Sequence, residues 1–319
     1  MAKTAGIGIT ELSTIFDNLR PDMVLTVADR YETIATAVAA AYLNIPLVHV
    51  QGGEITGSVD EKVRHAITKF ANYHFVSTTG AAERVIRMGE EPDAVFVTGC
   101  PSVDLALDVR NRGRALSFDP YAKYLGLGPA VPLGVEPYVI VMQHPVTTDY
   151  AHAQDQIMPT LEAARDLGMP VLWFWPNVDA GSDGISKAIR RFREESRPAH
   201  MHFFKNMPPE DFLQLLYCSA CIVGNSSVAI REASFLGVPA VNIGDRQSGR
   251  ERAANVFDVG YDRSAIAAAI GSQVAHGLYP SSTLYGDGRA GDRIAALLHD
   301  VPHRIEKRLT YARSDAPVI

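Results

Sequence analysis

Short apolar runs recur along the chain, each followed by a polar turn and then by apolar positions every three or four residues. The runs have the length of strands, and the longer periodic stretches have the spacing of helices. An amphipathic helix is predicted over 9–19. Strands are predicted over 22–28, 46–51, 73–77 and 94–98, with helices over 33–43, 60–70 and 80–88 between them. A second alternating series carries strands over 138–142, 170–174, 200–205, 220–223, 239–243 and 255–258, and a charged, mainly helical tail over 292–310. Strands that are apolar throughout, alternating with helices, predict mostly parallel, doubly wound α/β sheets.

Residues 118–136 are rich in Gly, Pro and Leu and lack either period. The domain boundary is placed there, giving a first Rossmann-like domain over 1–132 and a second over 133–319. In sheets of this kind ligands bind beyond the carboxyl ends of the strands. Asp29, Glu54, His144 and Gly224 each follow a predicted strand directly, so they are expected together on the side of a cleft between the two domains.

Composition narrows the function. The chain has 319 residues, 47% hydrophobic and 21% charged, enough for two cores. Its net charge of −6 argues against nucleic acid or an anionic membrane as the main partner. Cys100, Cys218 and Cys221 form no paired framework, and no second Cys pair completes a zinc site with Cys218 and Cys221. They read as core thiols in a reducing compartment. No apolar run reaches the length of a membrane span, and the N-terminus lacks a signal-peptide pattern, so a cytoplasmic protein is expected.

The chemistry concentrates in a few turns. Gly224-Asn225-Ser226-Ser227 joins a strand to a predicted helix and aims backbone N–H groups at one point, to which the helix dipole adds positive charge. Such a turn binds anions, and the serine hydroxyls add donors. Glu232 lies one turn further on, and Arg246 and Arg250 occupy the next strand–helix loop, where they suit a diphosphate. The plainer reading is a capped helix beside a solvated basic loop. Asp29 at a strand end either caps the next helix or acts on a ligand. Glu54 follows Gly52-Gly53, which permit close backbone approach and set an acid at a pocket mouth. Asp60 and Arg64 share a helix face at i,i+4 and, taken alone, read as a surface salt bridge. Three carboxylates near an arginine also suit proton abstraction and return at a carbon centre. His144, held before Pro145, could protonate or orient a leaving group, or be a satisfied strand-end histidine. Asn177 and Asp179 either cap a helix or reach substrate. His49, His65 and His74 have no partners at metal-ligand spacing, and His49 and His74 read as core or sheet-edge residues.

Taken in order, these stretches resemble the hydrolysing UDP-N-acetylglucosamine 2-epimerases, and especially the epimerase half of the bifunctional animal enzymes that begin sialic acid synthesis. The resemblance rests on Arg20-Pro-Asp, Asp29-Arg30, Gly52-Gly-Glu-Ile-Thr-Gly57, the run from Asp60 to Lys69, and Gly99-Cys-Pro-Ser102. It continues through Gln143-His-Pro-Val-Thr-Thr-Asp149, Pro176-Asn-Val-Asp-Ala-Gly-Ser182, Gly224-Asn-Ser-Ser227, Gly244-Asp-Arg-Gln-Ser-Gly-Arg250 and Tyr285-Gly-Asp-Gly288, and so spans nearly the whole chain. It implies a GT-B-like fold of two Rossmann-type domains with the active site in the cleft. It implies loss of UDP to a glycal, hydration at C1 and proton return at C2, with no metal and no organic cofactor. By position, Asp29, Glu54 and Asp60 match the acid/base carboxylates, Arg64 their partner and His144 the histidine near the leaving diphosphate. Ser226 and Ser227 match the phosphate binders, with Asn225 in the same turn; Glu232 matches the ribose holder, and Arg250 is placed near the nucleotide. The implied partner is UDP-N-acetylglucosamine or a related UDP-2-acetamido sugar, in a homodimer or homotetramer.

Two departures stand out. Val27-Ala28 precedes Asp29-Arg30 where the family usually carries His-Gly. The family also begins with strand–helix units ahead of the stretch matching Ala5 to Leu19; at about 30 residues per unit, roughly 80 residues of the pattern have no counterpart. The N-terminal domain is therefore expected to be incomplete, with an exposed apolar sheet edge. The alternative function is a non-catalytic or partner-dependent UDP-sugar-binding chain.

Overall fold

Seven of the ten strands among the described residues are buried along all or nearly all of their length, and helices cover them, as parallel sheets require. The structure, a computed structural model, describes residues 1–57, 59–134 and 136–310; the end of the second predicted domain, 311–319, lies outside the described residues. Two compact units are present, Met1–Pro101 with the segment from Arg289, and Ser102–Gly288.

The first unit runs α1 (Ala2–Leu19), β1 (Val24–Val27), α2 (Thr33–Tyr42), β2 (Leu47–Val50), α3 (Asp60–Phe70), β3 (Tyr73–Val76), α4 (Thr79–Arg87) and β4 (Val95–Val97). Its sheet is all parallel in the order β1-β2-β3-β4. Phe16 of α1 packs with Val24, Ala37, Ala40, Leu47 and Ile67 to form one side of the core. β1 is an edge strand, and its alternate residues Leu25 and Val27 are 38% and 44% exposed.

The second unit runs α5 (Pro101–Arg112), α6 (Pro120–Tyr124), β5 (Val139–Met142), α7 (Ala153–Asp166), β6 (Val171–Phe174), α8 (Ser182–Ser196), β7 (Met201–Phe204), α9 (Pro209–Cys218), β8 (Cys221–Gly224), α10 (Glu232–Leu236), β9 (Ala240–Ile243), β10 (Val256–Val259) and α11 (Arg263–His276). The sheet order is β10-β9-β8-β5-β6-β7, all parallel. The winding reverses between β5 and β8. Helices leave that point toward opposite faces, and a crevice opens at the carboxyl ends of the two strands.

The sequence-predicted boundary in 118–136 is corrected. α5 already packs within the second unit, with the Arg110 guanidinium 4.3 Å above the Phe235 ring. The Gly/Pro-rich stretch is no linker. Leu127 exchanges two backbone hydrogen bonds with Phe203 of β7, at 2.9 and 2.8 Å. His202 holds the stretch from the strand side, its ring nitrogens 3.0 Å from the Pro129 carbonyl and 2.7 Å from that of Leu125.

The tail is also corrected. α12 (Ala290–Asp300) is helical and places Ile294 in the first unit's core, but residues 301–310 continue as an irregular strap. Pro302 cannot donate the next helical hydrogen bond. The strap is tied down instead: the Tyr73 hydroxyl donates to the Pro302 carbonyl at 2.6 Å, Asn72 donates to that of Ile305 at 3.1 Å, and the Thr310 N–H donates to Gly89 at 3.0 Å. Its strongest tie is Lys307 to Glu90 at 2.5 Å. Glu90 is 3% exposed and also meets Lys69 at 2.6 Å and His74 at 2.9 Å. Burial alone would raise the Glu90 carboxyl, but hydrogen bonds from His74, Lys307 and Lys69 outweigh it and hold the pKa at about 2.

A carboxylate depressed in the folded state stabilises above its unfolded pKa and loses that contribution as pH falls through the folded one. Part of the stability is therefore lost between about pH 4.5 and about pH 2. Glu90→Gln removes that part and leaves two lysines facing an amide, at a cost of about 2–3 kcal/mol at neutral pH. Urea unfolding at pH 7 and at acid pH checks both; a midpoint unmoved at pH 7 contradicts the assignment.

Candidate active site

In the second unit the switch point brings the loops after β5 and β8 together. β8 ends in Gly224 at φ +131°, where a Cβ would lie 2.1 Å from the Met142 carbonyl oxygen at the end of β5. Only glycine permits that approach. The next residue uses the closeness. Asn225 accepts from the His144 N–H at 2.7 Å and donates to the His144 carbonyl at 2.9 Å. Its own carbonyl accepts from Arg246 at 3.1 Å and Gln247 at 2.9 Å, which ties in the loop after β9. The Asn177 N–H, from the loop after β6, donates to His144 Nδ1 at 3.2 Å. A ring nitrogen that accepts carries no proton, so the neutral ring has its proton on Nε2. Asn177 in turn donates to Asp179 at 2.6 Å, and Arg246 stands 3.9 Å from the same carboxylate. Four strand-end loops thus share one hydrogen-bonded frame.

The frame surrounds donors suited to an anion. Ser226 and Arg250 are 8% and 6% exposed. Ser227 accepts from Arg231 at 2.8 Å, which leaves its own hydroxyl proton to be donated. Glu232 is 6% exposed, and one of its carboxylate oxygens is buried with no hydrogen-bond partner among the described residues. The predicted helix at Gly224-Asn-Ser-Ser is corrected. A single 3₁₀ turn, Ser227–Ala229, is followed by the five-residue α10, so the donors come from the turn's backbone and hydroxyls rather than from a long helix's dipole. Asn225, expected to bind ligand, spends its side chain bracing His144. Asn177 and Asp179, left open by the sequence, belong to that brace.

In the first unit the organising group is Arg64 on α3, whose side chain is fully buried. It forks onto Asp29, the residue after the β1 turn, with both Nε and Nη2. Nη1 donates to Glu61 at 2.7 Å and to the Glu54 backbone carbonyl at 2.6 Å, and Nη2 donates to the Thr56 hydroxyl at 3.0 Å. One guanidinium thereby fixes Asp29 and the loop carrying Glu54. Burial would lower the Arg64 pKa, but the charges of Asp29, Glu54 and Glu61 outweigh it and raise it. Glu61 has the same balance: burial raises it, while the Thr56 N–H, His65 and Arg64 together hold it low. The reading of Arg64 as half of a surface pair is therefore corrected, since its carboxylate partners include Asp29, far away in sequence, and Glu61 at i,i+3. Asp60 opens α3, where the helix N-terminus favours a carboxylate.

The Gly-Gly-Glu loop is held from behind. Gly53 has φ +75°, and a Cβ there would lie 2.3 Å from the Ala81 carbonyl oxygen. Arg84 donates to the Gly53 carbonyl at 2.5 Å. Glu54 itself is 3% exposed. The roles of Glu61 and Thr56 went unnoticed in the sequence; the i,i+3 spacing of Glu61 to Arg64 is a signal for the first, and none marks the second. Among the described residues no group of three or more His, Cys, Asp or Glu stands ready to hold a metal, and no helix is long and apolar enough to cross a membrane.

Two parallel α/β units, the second with its site at a topological switch point, define a GT-B-like fold. The solved structures agree: the chain superposes on the Methanocaldococcus jannaschii UDP-GlcNAc 2-epimerase, in complex with UDP-GlcNAc and UDP, with a TM-score of 0.75 at 18% identity, covering 93% of this chain and 81% of that one. The family profile described as UDP-N-acetylglucosamine 2-epimerase matches residues 1–299, and the chain belongs to that family. Among relatives it is similar to the UDP-N,N'-diacetylbacillosamine 2-epimerase (hydrolyzing) of Legionella pneumophila, 33% identical over 302 residues, which are 95% of this chain and 77% of that protein. It is also similar to the UDP-N-acetylglucosamine 2-epimerase of Neisseria meningitidis serogroup B, 32% identical over 289 residues, 90% of this chain and 73% of that protein.

Removing a buried cation strands its anions. Arg64→Met is expected to cost about 3–5 kcal/mol. Arg64→Lys keeps the charge without the fork and falls between the two. Denaturant titration measures both, and a loss below about 1 kcal/mol for Arg64→Met contradicts the role given to the cluster.

Proposed function

We propose that the protein is a hydrolysing 2-epimerase of UDP-N-acetylglucosamine or of a related UDP-2-acetamido sugar. The observation that carries the reading is the buried Arg64, which holds Asp29 and the Glu54 loop at adjacent strand ends in a member of this family. The Legionella and Neisseria relatives support it, since both are 2-epimerases of UDP-sugars and the first is hydrolysing.

The reaction begins when a carboxylate takes the C2 proton and the C1–oxygen bond to UDP breaks. Its electron pair leaves with the diphosphate, and a C1=C2 glycal remains. Water then adds its hydroxyl at C1, and a proton returns to C2 on the opposite face. The products are free N-acetylmannosamine, for the N-acetylglucosamine substrate, and UDP. Asp29, Glu54 and Asp60 form the acid/base set, with Arg64 holding Asp29 in place. His144 donates from Nε2 to the departing diphosphate, whose charge would otherwise build up in the leaving group. Ser226, Ser227 and Arg250 hold the phosphates, with Asn225 bracing His144 behind them. The spare oxygen of Glu232 suits ribose hydroxyls, which are donors in search of a buried acceptor.

Proton NMR of the chain with UDP-N-acetylglucosamine in deuterated water tests the reading. Free N-acetylmannosamine bearing deuterium at C2, together with UDP, is expected. Glu54→Gln is expected to lower turnover about 10²–10⁴-fold. Intact substrate with broadened UDP signals instead indicates a nucleotide-binding chain without catalysis, and unchanged turnover in Glu54→Gln overturns the acid/base assignment.

A further inference from the structure

His49 lies on β2, with its side chain fully buried, and the mechanism above gives it no task. Its Nε2 is 2.9 Å from the Ala28 carbonyl oxygen, and its Nδ1 is 3.2 Å from the Thr68 hydroxyl on α3. A carbonyl can only accept, so Nε2 carries the proton and Nδ1 accepts from Thr68. Burial, ahead of every other influence, pushes the imidazole down to about 4, so it stays neutral in this tautomer.

The residue it holds is unusual. Ala28 has φ +65°, the left-handed region that side chains other than glycine seldom adopt. Such a conformation persists only where the surroundings enforce it. The Ala28 N–H donates to Val50 at 2.9 Å, and its carbonyl is the one His49 grips. The next residue is Asp29, aimed at Arg64. The same ring also bounds the other acidic turn. A Cβ on Gly52 would lie 2.9 Å from His49 Nδ1 and 3.1 Å from Thr68 Oγ1, so the Gly52-Gly53-Glu54 loop rests directly on the His49–Thr68 pair.

We propose that His49 is a positioning residue: its imidazole spans the gap between the Ala28 turn and Gly52, and so sets Asp29 and Glu54 against one another for proton transfer. The inference rests on the acid/base reading of those two carboxylates. It accounts for the left-handed φ of Ala28, because the side-chain hydrogen bond supplies a restraint on a conformation that alanine seldom adopts.

His49→Gln places an amide N–H where Nε2 was and can still reach the Ala28 carbonyl. His49→Asn reaches only the Thr68 side. In the deuterium NMR assay, His49→Asn is expected to lose about 10–100-fold in kcat with KM within about threefold of the parent, and His49→Gln to recover most of the loss. Thr68→Val, which keeps the volume and removes only the hydroxyl, is expected to lose a few-fold in kcat, and it carries the test should both His49 variants fail to fold. In amide NMR spectra the Asp29 signal is expected to move in His49→Asn and to stay near its parent position in His49→Gln, whatever the substrate. Equal kcat in the Asn and Gln variants, an unchanged Asp29 signal in His49→Asn, or full kcat in Thr68→Val overturns the proposal. An unmodified chain that releases no product overturns the epimerase reading instead, and the Asp29 signal still decides the role of His49.

Discussion

A guanidinium without water must find its compensation in the protein, and Arg64 finds it in groups drawn from three separate parts of the first unit. Asp29 comes from the end of β1, the Glu54 carbonyl and Thr56 from the loop after β2, and Glu61 from one turn earlier on its own helix. The cost of desolvating the charge makes each contact obligatory. That obligation fixes the loop geometry more firmly than local turn preferences could. It also sets the charge state: Arg64 is held protonated, and Glu61 is held ionised against the burial that opposes it.

The second unit solves a different problem, with an asparagine side chain at the centre of its frame. At its switch point two strand ends must come close enough for one asparagine to bridge them, and Gly224 makes that possible. Once Asn225 is seated, its carbonyl gathers Arg246 and Gln247, and the Asn177 N–H settles the tautomer of His144. The result is a braced set of donors, an environment suited to a diphosphate. The proposed function divides the labour accordingly, assigning proton chemistry to the cluster around Arg64 and nucleotide binding to the frame around Asn225.

Much of this was legible in the sequence because parallel α/β units write themselves in alternating apolar runs. The strands fall within a residue or two of their predicted positions, and α3 spans 60–70 as the periodicity requires. The failures share a cause. The 118–136 stretch looked like a linker because Gly and Pro dominate it, yet its glycines let the backbone lie along β7, a tertiary contact that leaves no periodic trace. The helical tail stopped at Pro302, where long-range ties to Tyr73 and Glu90 replaced local ones. In the site, residue types and spacing pointed to Asp29, Glu54, Asp60, Arg64 and His144. They could not say that Arg64 pairs across 35 residues with Asp29, that the Asn225 side chain braces His144, or that His49 grips the Ala28 turn. Those facts depend on which side chains the fold leaves without water.

The central claim is that chemistry and nucleotide binding reside in separate clusters. Calorimetric titration of UDP into the Asp29→Asn variant, paired with its turnover, tests it most directly. The account predicts UDP affinity within about threefold of the parent, roughly 0.7 kcal/mol, while turnover falls at least about 100-fold. UDP affinity that collapses together with turnover would contradict it, because the carboxylate at the end of β1 would then be needed to hold the nucleotide.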